Sequence, residues 1–285
     1  VTNKESITYR ELLDWGASFL KQYNVEETVA RWLLFERLDW TLTNFVRQSE
    51  QVVEAGVRQQ FEQDIKQAAT HYPPQYIVGH EWFMDCAFKV TEATLIPRPE
   101  TEAWFSQYIG QLPDRSLTVV DVGTGSGVLA ICHKLARPQD TVWAVDISEA
   151  ALAVARENAT NLGAEVQFLC GDLLKPFIES NEDREVDLIV SNPPYIGAEE
   201  WADMDQSVRE FEPKQALFAA DQGLALYRQL AKQSVQLLPK SGQLIVEIGF
   251  RQGEAVQEIM QASFPHRIVS IEQDINGLDR VVHVK

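Results

Sequence analysis

Positive charge is scarce in this sequence relative to negative charge. Lys and Arg number 25 against 42 Asp and Glu, for a formal net charge of −17. Such a balance argues against binding nucleic acid by charge alone, because that mode needs cations to displace phosphate counterions. Long apolar runs are missing as well. No stretch approaches the roughly 18 apolar residues of a membrane span, and Val1 to Arg10 lacks the basic-then-apolar order of a signal peptide. The expectation is a cytoplasmic protein with no membrane partner. Cys86, Cys132 and Cys170 are odd in number and far apart, and the five histidines never fall at metal-ligand spacing. They are expected to be reduced thiols and ordinary histidines, with no metal site.

What is present suits a chain with one or two buried cores: 45% hydrophobic residues over 285 positions, with no repeat or low-complexity tract. Leu12, Trp15 and Phe19 recur at helical spacing, followed by Val29, Trp32, Leu33 and Phe35, and Thr8 stands three residues before Glu11 as a capping box. Residues 1–75 are therefore expected to form a small helical domain. Pro73-Pro74 breaks that pattern, and the aromatic runs Trp82-Phe83-Met84 and Phe88-Lys89-Val90 predict a β-hairpin inside a linker, 76–98. From 99 to 285 strands and helices alternate as in an open α/β sheet. Strands are expected at 117–122, 141–145, 166–169, 186–190 and 244–248, with two more β-rich runs at 267–272 and 280–284. Helices are expected at 128–136, 149–161 and 224–238.

Two loops carry chemistry. Asp121-Val122-Gly123-Thr124-Gly125-Ser126-Gly127 follows the first of these strands and opens a helix, so its glycines let the backbone turn tightly and approach a ligand. Asp146 ends the next strand, where a carboxylate can accept both hydroxyls of a ribose. A dinucleotide loop would place its third small residue at Val128, which is neither Gly nor Ala. The second loop is Asn192-Pro193-Pro194-Tyr195, at the carboxyl end of the fourth strand. Its prolines remove two N–H donors. The Asn192 side-chain oxygen and the Pro193 carbonyl then form an acceptor pair for an NH2 group, and Tyr195 can stack on the planar group that bears it.

The glycine loop resembles that of class I S-adenosylmethionine-dependent methyltransferases, a seven-stranded, Rossmann-like α/β fold. The resemblance implies S-adenosyl-L-methionine as cofactor, held by Gly123, Thr124, Gly125, Ser126, Gly127, Asp146 and Asn192, with Asp172 and Leu173 at the adenine. It makes Asn192, Pro193 and Tyr195 the catalytic residues, and Asn192, Pro193, Pro194 and Tyr195 the substrate-binding ones. Gln75-Tyr76-Ile77-Val78-Gly79, Phe83-Met84, Phe88, Ile96-Pro97-Arg98-Pro99-Glu100-Thr101-Glu102, Glu212-Pro213, Ala216-Leu217 and Asp221 with Gly223-Leu224 extend the likeness over nearly the whole chain. It is similar to the PrmC/HemK family of release-factor glutamine methyltransferases. That resemblance implies protein methylation: glutamine N5-methylation in the Gly-Gly-Gln tripeptide of class 1 release factors, proteins of translation termination, with 1–75 as the docking domain and 99–285 as the methyltransferase domain.

Three alternatives stand beside it: a ribosomal-protein glutamine methyltransferase, a DNA or RNA exocyclic-amine methyltransferase, and a module that binds the cofactor without turnover. Nucleic-acid enzymes must hold a flipped base and usually carry a basic recognition region, whereas here acidic residues outnumber basic ones on both sides of Val90. Within 97–102, one account pairs Arg98 with Glu100 and lets Pro99 begin a helix carrying Trp104 and Tyr108. The other has the segment line the pocket opposite Asn192.

Overall fold

The computed structural model describes residues 6–179 and 185–285. Residues 1–5, part of the expected helical domain and of the stretch examined for a leader, lie outside the described residues, as do 180–184 within the expected methyltransferase domain. The chain divides into two units, Val1–Gly79 with Asp205–Phe211, and His80–Met204 with Glu212–Lys285.

The first unit contains α1 (Tyr9–Gln22), α2 (Thr28–Leu38), α3 (Leu42–Gln48), α4 (Ala55–Ala68) and α5 (Pro74–Val78). The Thr8 hydroxyl accepts the Glu11 amide at 3.2 Å while the Glu11 carboxylate accepts the Thr8 amide at 2.9 Å, so both orphan donors at the start of α1 are satisfied. Leu12, Leu20, Leu33, Leu34, Phe61 and Ile65 fill the core between α1, α2 and α4. Pro74 starts α5 rather than ending structure, because a first-turn position needs no N–H.

The second unit opens with the hairpin β1 (His80–Phe83) and β2 (Cys86–Lys89), whose Phe83 and Phe88 are buried in the sheet's core. There follow α6 (Pro99–Ile109), β3 (Thr118–Val122), α7 (Val128–Ala136), β4 (Thr141–Asp146), α8 (Glu149–Leu162), β5 (Gln167–Cys170), α9 (Lys175–Glu179), β6 (Leu188–Ser191), α10 (Gln206–Phe211, which belongs to the first unit), α11 (Ala225–Leu237), β7 (Gln243–Glu247), α12 (Gly253–Ser263), β8 (Val269–Gln273) and β9 (Asp279–Val284). The seven strands run in the order β5-β4-β3-β6-β7-β9-β8. All neighbours are parallel except β9, which is antiparallel to β7 and β8. Val119, Val120, Ile189, Val190, Leu244 and Ile245 are buried, as expected of parallel strands covered on both faces.

The expected α/β methyltransferase architecture is thus present, with strand ends displaced by one or two residues. From β3 the chain steps outward to β4 and β5, then returns to β6 on the other side. That reversal opens a crevice at the carboxyl ends of β3 and β6, where ligands of such sheets bind. Just before the amino end of β4, buried Asp140 accepts hydrogen bonds from Leu117 N (3.0 Å), which precedes β3, and from Arg137 Nε (2.7 Å) and the His133 ring (2.7 Å). Burial pushes the Asp140 carboxyl up, but these bonds outweigh it and hold it below the ordinary carboxylate range.

Candidate active site

The glycine loop is laced to the end of β4. Gly123 and Thr124 amides donate to the Val145 carbonyl at 2.8 and 3.1 Å. Asp146 reaches back with both oxygens, accepting Gly125 N and Ser148 N, each at 2.9 Å. Burial raises the Asp146 pKa and these backbone donors oppose it. Each oxygen keeps a lone pair, so the carboxylate can still accept a hydroxyl. Gly127 has φ +90 and caps α7; a Cβ there would stand 2.8 Å from Ile131 and 3.1 Å from Ala155. Only glycine lets α7 and α8 approach this closely.

Asp121 is the unusual member of the loop. Its Oδ2 accepts the Thr124 hydroxyl at 2.6 Å and the Ala130 amide at 3.2 Å. Its Oδ1 is buried and has no partner among the described residues. Burial pushes the carboxyl up to about 7, against those two hydrogen bonds and with some help from the charge of Asp146. A buried carboxylate with a spare acceptor favours a cationic ligand.

At the end of β6, the Asn192 side-chain amide donates to the Thr101 hydroxyl at 3.2 Å. Thr101 in turn donates to Glu247 Oε2 at 2.6 Å, and the Trp104 indole N–H reaches the same oxygen at 2.9 Å. Thr101 and Trp104 lie three apart on α6, so one helix face meets the end of β7. Glu247 is buried, and burial raises its pKa. Tyr195 is half-buried and its phenol is pushed up to about 12, chiefly by burial and then by the charge of Glu247. Gln252 Nε2 donates to the Tyr195 carbonyl at 2.8 Å and the Gln222 carbonyl at 3.2 Å, while its Oε1 accepts Gly249 N at 3.1 Å. Gly223, at φ +83, passes so close that a Cβ would collide with the Tyr195 carbonyl.

The two loops share a cavity of about 350 Å³, within the range of small-molecule sites. Of the residues expected at the site, Gly123, Thr124, Gly125, Ser126, Asp146, Asp172, Leu173, Asn192 and Pro194 line it. Gly127, Pro193 and Tyr195 do not line it; Pro193 is buried. Asp172 also pairs with Lys175 at the surface. Ala93 to Leu95 with Pro97 and Arg98, and Pro213 with Gln215, Ala216 and Phe218, also line the cavity, as do Thr101 and Asp121. Glu212 braces both stretches, accepting Ile96 N at 3.2 Å and Arg98 at 2.6 Å. Arg98 therefore pairs with Glu212 rather than Glu100, although Pro99 does begin α6. Pro97, Arg98 and Thr101 do line the cavity, but Thr101 bonds to Asn192 rather than standing opposite it. The sequence names Asp121 only as part of the glycine loop and Arg98 and Thr101 only within the segment 97–102, and it assigns no site role to Glu212 or Glu247. A glutamate inside the apolar strand Leu244-Ile245-Val246-Glu247-Ile248 was a usable signal, since a buried carboxylate needs a reason.

Comparison with known proteins finds relatives along nearly the whole chain. Residues 107–210 match the methyltransferase small domain and residues 11–79 the PrmC N-terminal domain. A release factor glutamine methyltransferase of Enterococcus faecalis is 44% identical, over 96% of this chain and 97% of its own. That of Staphylococcus aureus is 39% identical over 98% and 99%. A methyltransferase structure from Pyrococcus furiosus superposes with a TM-score of 0.52 at 13% identity, covering 70% of this chain and 89% of its own, a likeness of fold. Alignment end to end at such identity, with both sequence domains matched, leaves one conclusion: the chain belongs to the release factor glutamine methyltransferase family.

Proposed function

We propose that this chain transfers a methyl group from S-adenosylmethionine to the side-chain amide nitrogen of the glutamine in the Gly-Gly-Gln tripeptide of class 1 release factors. The observation that carries the site assignment is Asn192, whose amide nitrogen is turned to Thr101 so that its oxygen is left to accept from a substrate beside the glycine loop. The cofactor fits the residues present. Gly123 to Ser126 supply a close backbone and Asp146 a ribose acceptor, while Asp172 and Leu173 stand on the wall for the adenine. Gly127 sets the turn of the same loop. The partnerless oxygen of Asp121 suits the positive charge of the amino-acid tail, and Arg98 suits its carboxylate.

Bound there, S-adenosylmethionine supplies an electrophilic methyl group on a sulfonium. The protein's part is to make a poor nucleophile better. Asn192 Oδ1 and the Pro193 carbonyl accept the two amide N–H bonds, which favours pyramidal nitrogen and returns electron density to it as the methyl arrives. Pro193 and Pro194 stiffen the turn that holds this geometry, and the partly exposed ring of Tyr195 offers a face to the amide plane. No dedicated base is required if the proton leaves after transfer. The helical unit is assigned the docking of the release factor, in the cytoplasm.

Incubation with labelled cofactor and a release factor, its Gln→Ala variant in the tripeptide, a ribosomal protein substrate, or duplex DNA tests the assignment. Label is expected on the intact release factor only; label surviving the Gln→Ala change, or appearing on the other substrates alone, would reverse it. The role of Asp121 has a separate signature. Its pKa is raised, so below about pH 7 the free protein must lose a proton before a cation can pair with it. Affinity for S-adenosylhomocysteine, which keeps the ammonium group, is therefore expected to rise with pH, by at most about tenfold per unit, and to level off above 7. In Asp121→Asn it should be weaker and flat. Calorimetry showing no slope between pH 5.5 and 8 in the wild type would remove this role.

A further inference from the structure

The register of the sheet brings Asn192 and Glu247 together. Ser191 of β6 pairs with Val246 of β7, so the next residues on the two parallel strands, Asn192 and Glu247, emerge side by side at the carboxyl edge. Thr101 joins them, at 3.2 Å from Asn192 Nδ2 and 2.6 Å from Glu247 Oε2. A threonine hydroxyl has one proton and two lone pairs, whereas an asparagine side chain has a donor end and an acceptor end that can exchange places by a half-turn. An ionised carboxylate can only accept. Once Thr101 gives its proton to Glu247, it has only lone pairs left for Asn192. The amide must then turn its nitrogen to Thr101 and its oxygen away.

We infer that Glu247 and Thr101 are positioning residues that set the polarity of Asn192, fixing its oxygen as the acceptor for the substrate amide. This inference rests on the proposed role of Asn192 and adds what enforces it. Without Glu247, the Thr101 proton is free to bond Asn192 Oδ1, and the side chain can rotate to present N–H groups to a substrate that also presents N–H groups. Two donors facing one another repel, so the complex loses the interaction that activates the nitrogen. Trp104 contributes by donating to the same carboxylate oxygen at 2.9 Å, which holds Glu247 in place and works against the upward pull of burial on its pKa.

The test compares Thr101→Val, Thr101→Ser, Glu247→Met and Asn192→Ala in the full chain, measuring kcat and KM on a release factor together with S-adenosylhomocysteine affinity by calorimetry. Thr101→Val and Glu247→Met are each expected to lower kcat about ten- to a hundredfold, with S-adenosylhomocysteine affinity within about threefold of wild type. Thr101→Ser, which keeps the hydroxyl, should restore most of kcat, a rescue that loss of packing alone would not show. Thr101→Val added to Asn192→Ala should cost almost nothing further, because both act through one side chain. If Asn192→Ala is inactive while Thr101→Val and Glu247→Met turn over like wild type, the positioning role is overturned and the acceptor role survives. Wild-type turnover in Asn192→Ala itself overturns the acceptor role, and the inference with it. Should Glu247→Met fail to fold, the Val and Ser pair at Thr101 decides alone: equal kcat in the two refutes the inference.

Discussion

Replacing Asn192 with alanine is expected to lower methyl transfer about a hundred- to a thousandfold while the protein stays folded. The magnitude follows from removing one preorganised hydrogen-bond partner whose interaction strengthens toward the transition state. Asn192 stands at a strand end and is only part-buried, so its truncation creates no large void and leaves Thr101 bonded to Glu247. Single-turnover measurement with both substrates saturating isolates the chemical step. Transfer within a few-fold of wild type would show that the Pro193 carbonyl and the rest of the turn suffice, and the acceptor pair would have to be abandoned.

The largest effect on stability is expected at the opposite edge of the sheet. Asp140→Ala should reduce unfolding free energy by about 3–5 kcal/mol, because Arg137 Nε, the His133 ring and the Leu117 amide all lose the carboxylate to which they are bonded. Arg137 keeps its bonds to the carbonyls of Pro113 and Arg115, but its charge becomes uncompensated. Urea unfolding at neutral pH measures the loss. S-adenosylhomocysteine affinity, tested under conditions where the variant remains folded, should hardly change, since the cluster sits at the amino edge of the strands and the cavity at the carboxyl edge. A loss below about 1 kcal/mol would mean that neighbouring groups take over the carboxylate's bonds.

The glycine loop and the Asn192-Pro193-Pro194-Tyr195 turn were legible because each is contiguous: the residues that act together are adjacent in the chain and announced by a preceding apolar strand. Most central strands were legible for the same reason. The helix Gly253–Ser263 was passed over, although its buried Val256, Ile259 and Met260 follow helical spacing, because a glycine start and scattered glutamines conceal the stripe. What sequence could not reveal is pairing at a distance. Thr101 and Glu247 are 146 residues apart, and Arg98 and Glu212 are 114 apart. Their partnership follows from strand register and from where α6 lies on the sheet, so neither motif carries any trace of it. Arg98 looked ready to pair with Glu100 because proximity in sequence was the only proximity visible.

Gln252 has a consequence for what this chain can tolerate. By gripping the carbonyls of both Tyr195 and Gln222, it closes the intervening residues, 196–221, into an excursion whose two ends are held at one point beside the sheet. The entropic penalty of such a closed excursion grows only with the logarithm of its length. Extra residues added at its exposed stretch, Ala198 to Glu200, would therefore be felt weakly by the strands on either side. The enzyme carries a ready port for a reporter or affinity tag, one that begins three residues after the Asn-Pro-Pro-Tyr turn yet leaves the sheet's register to be set elsewhere.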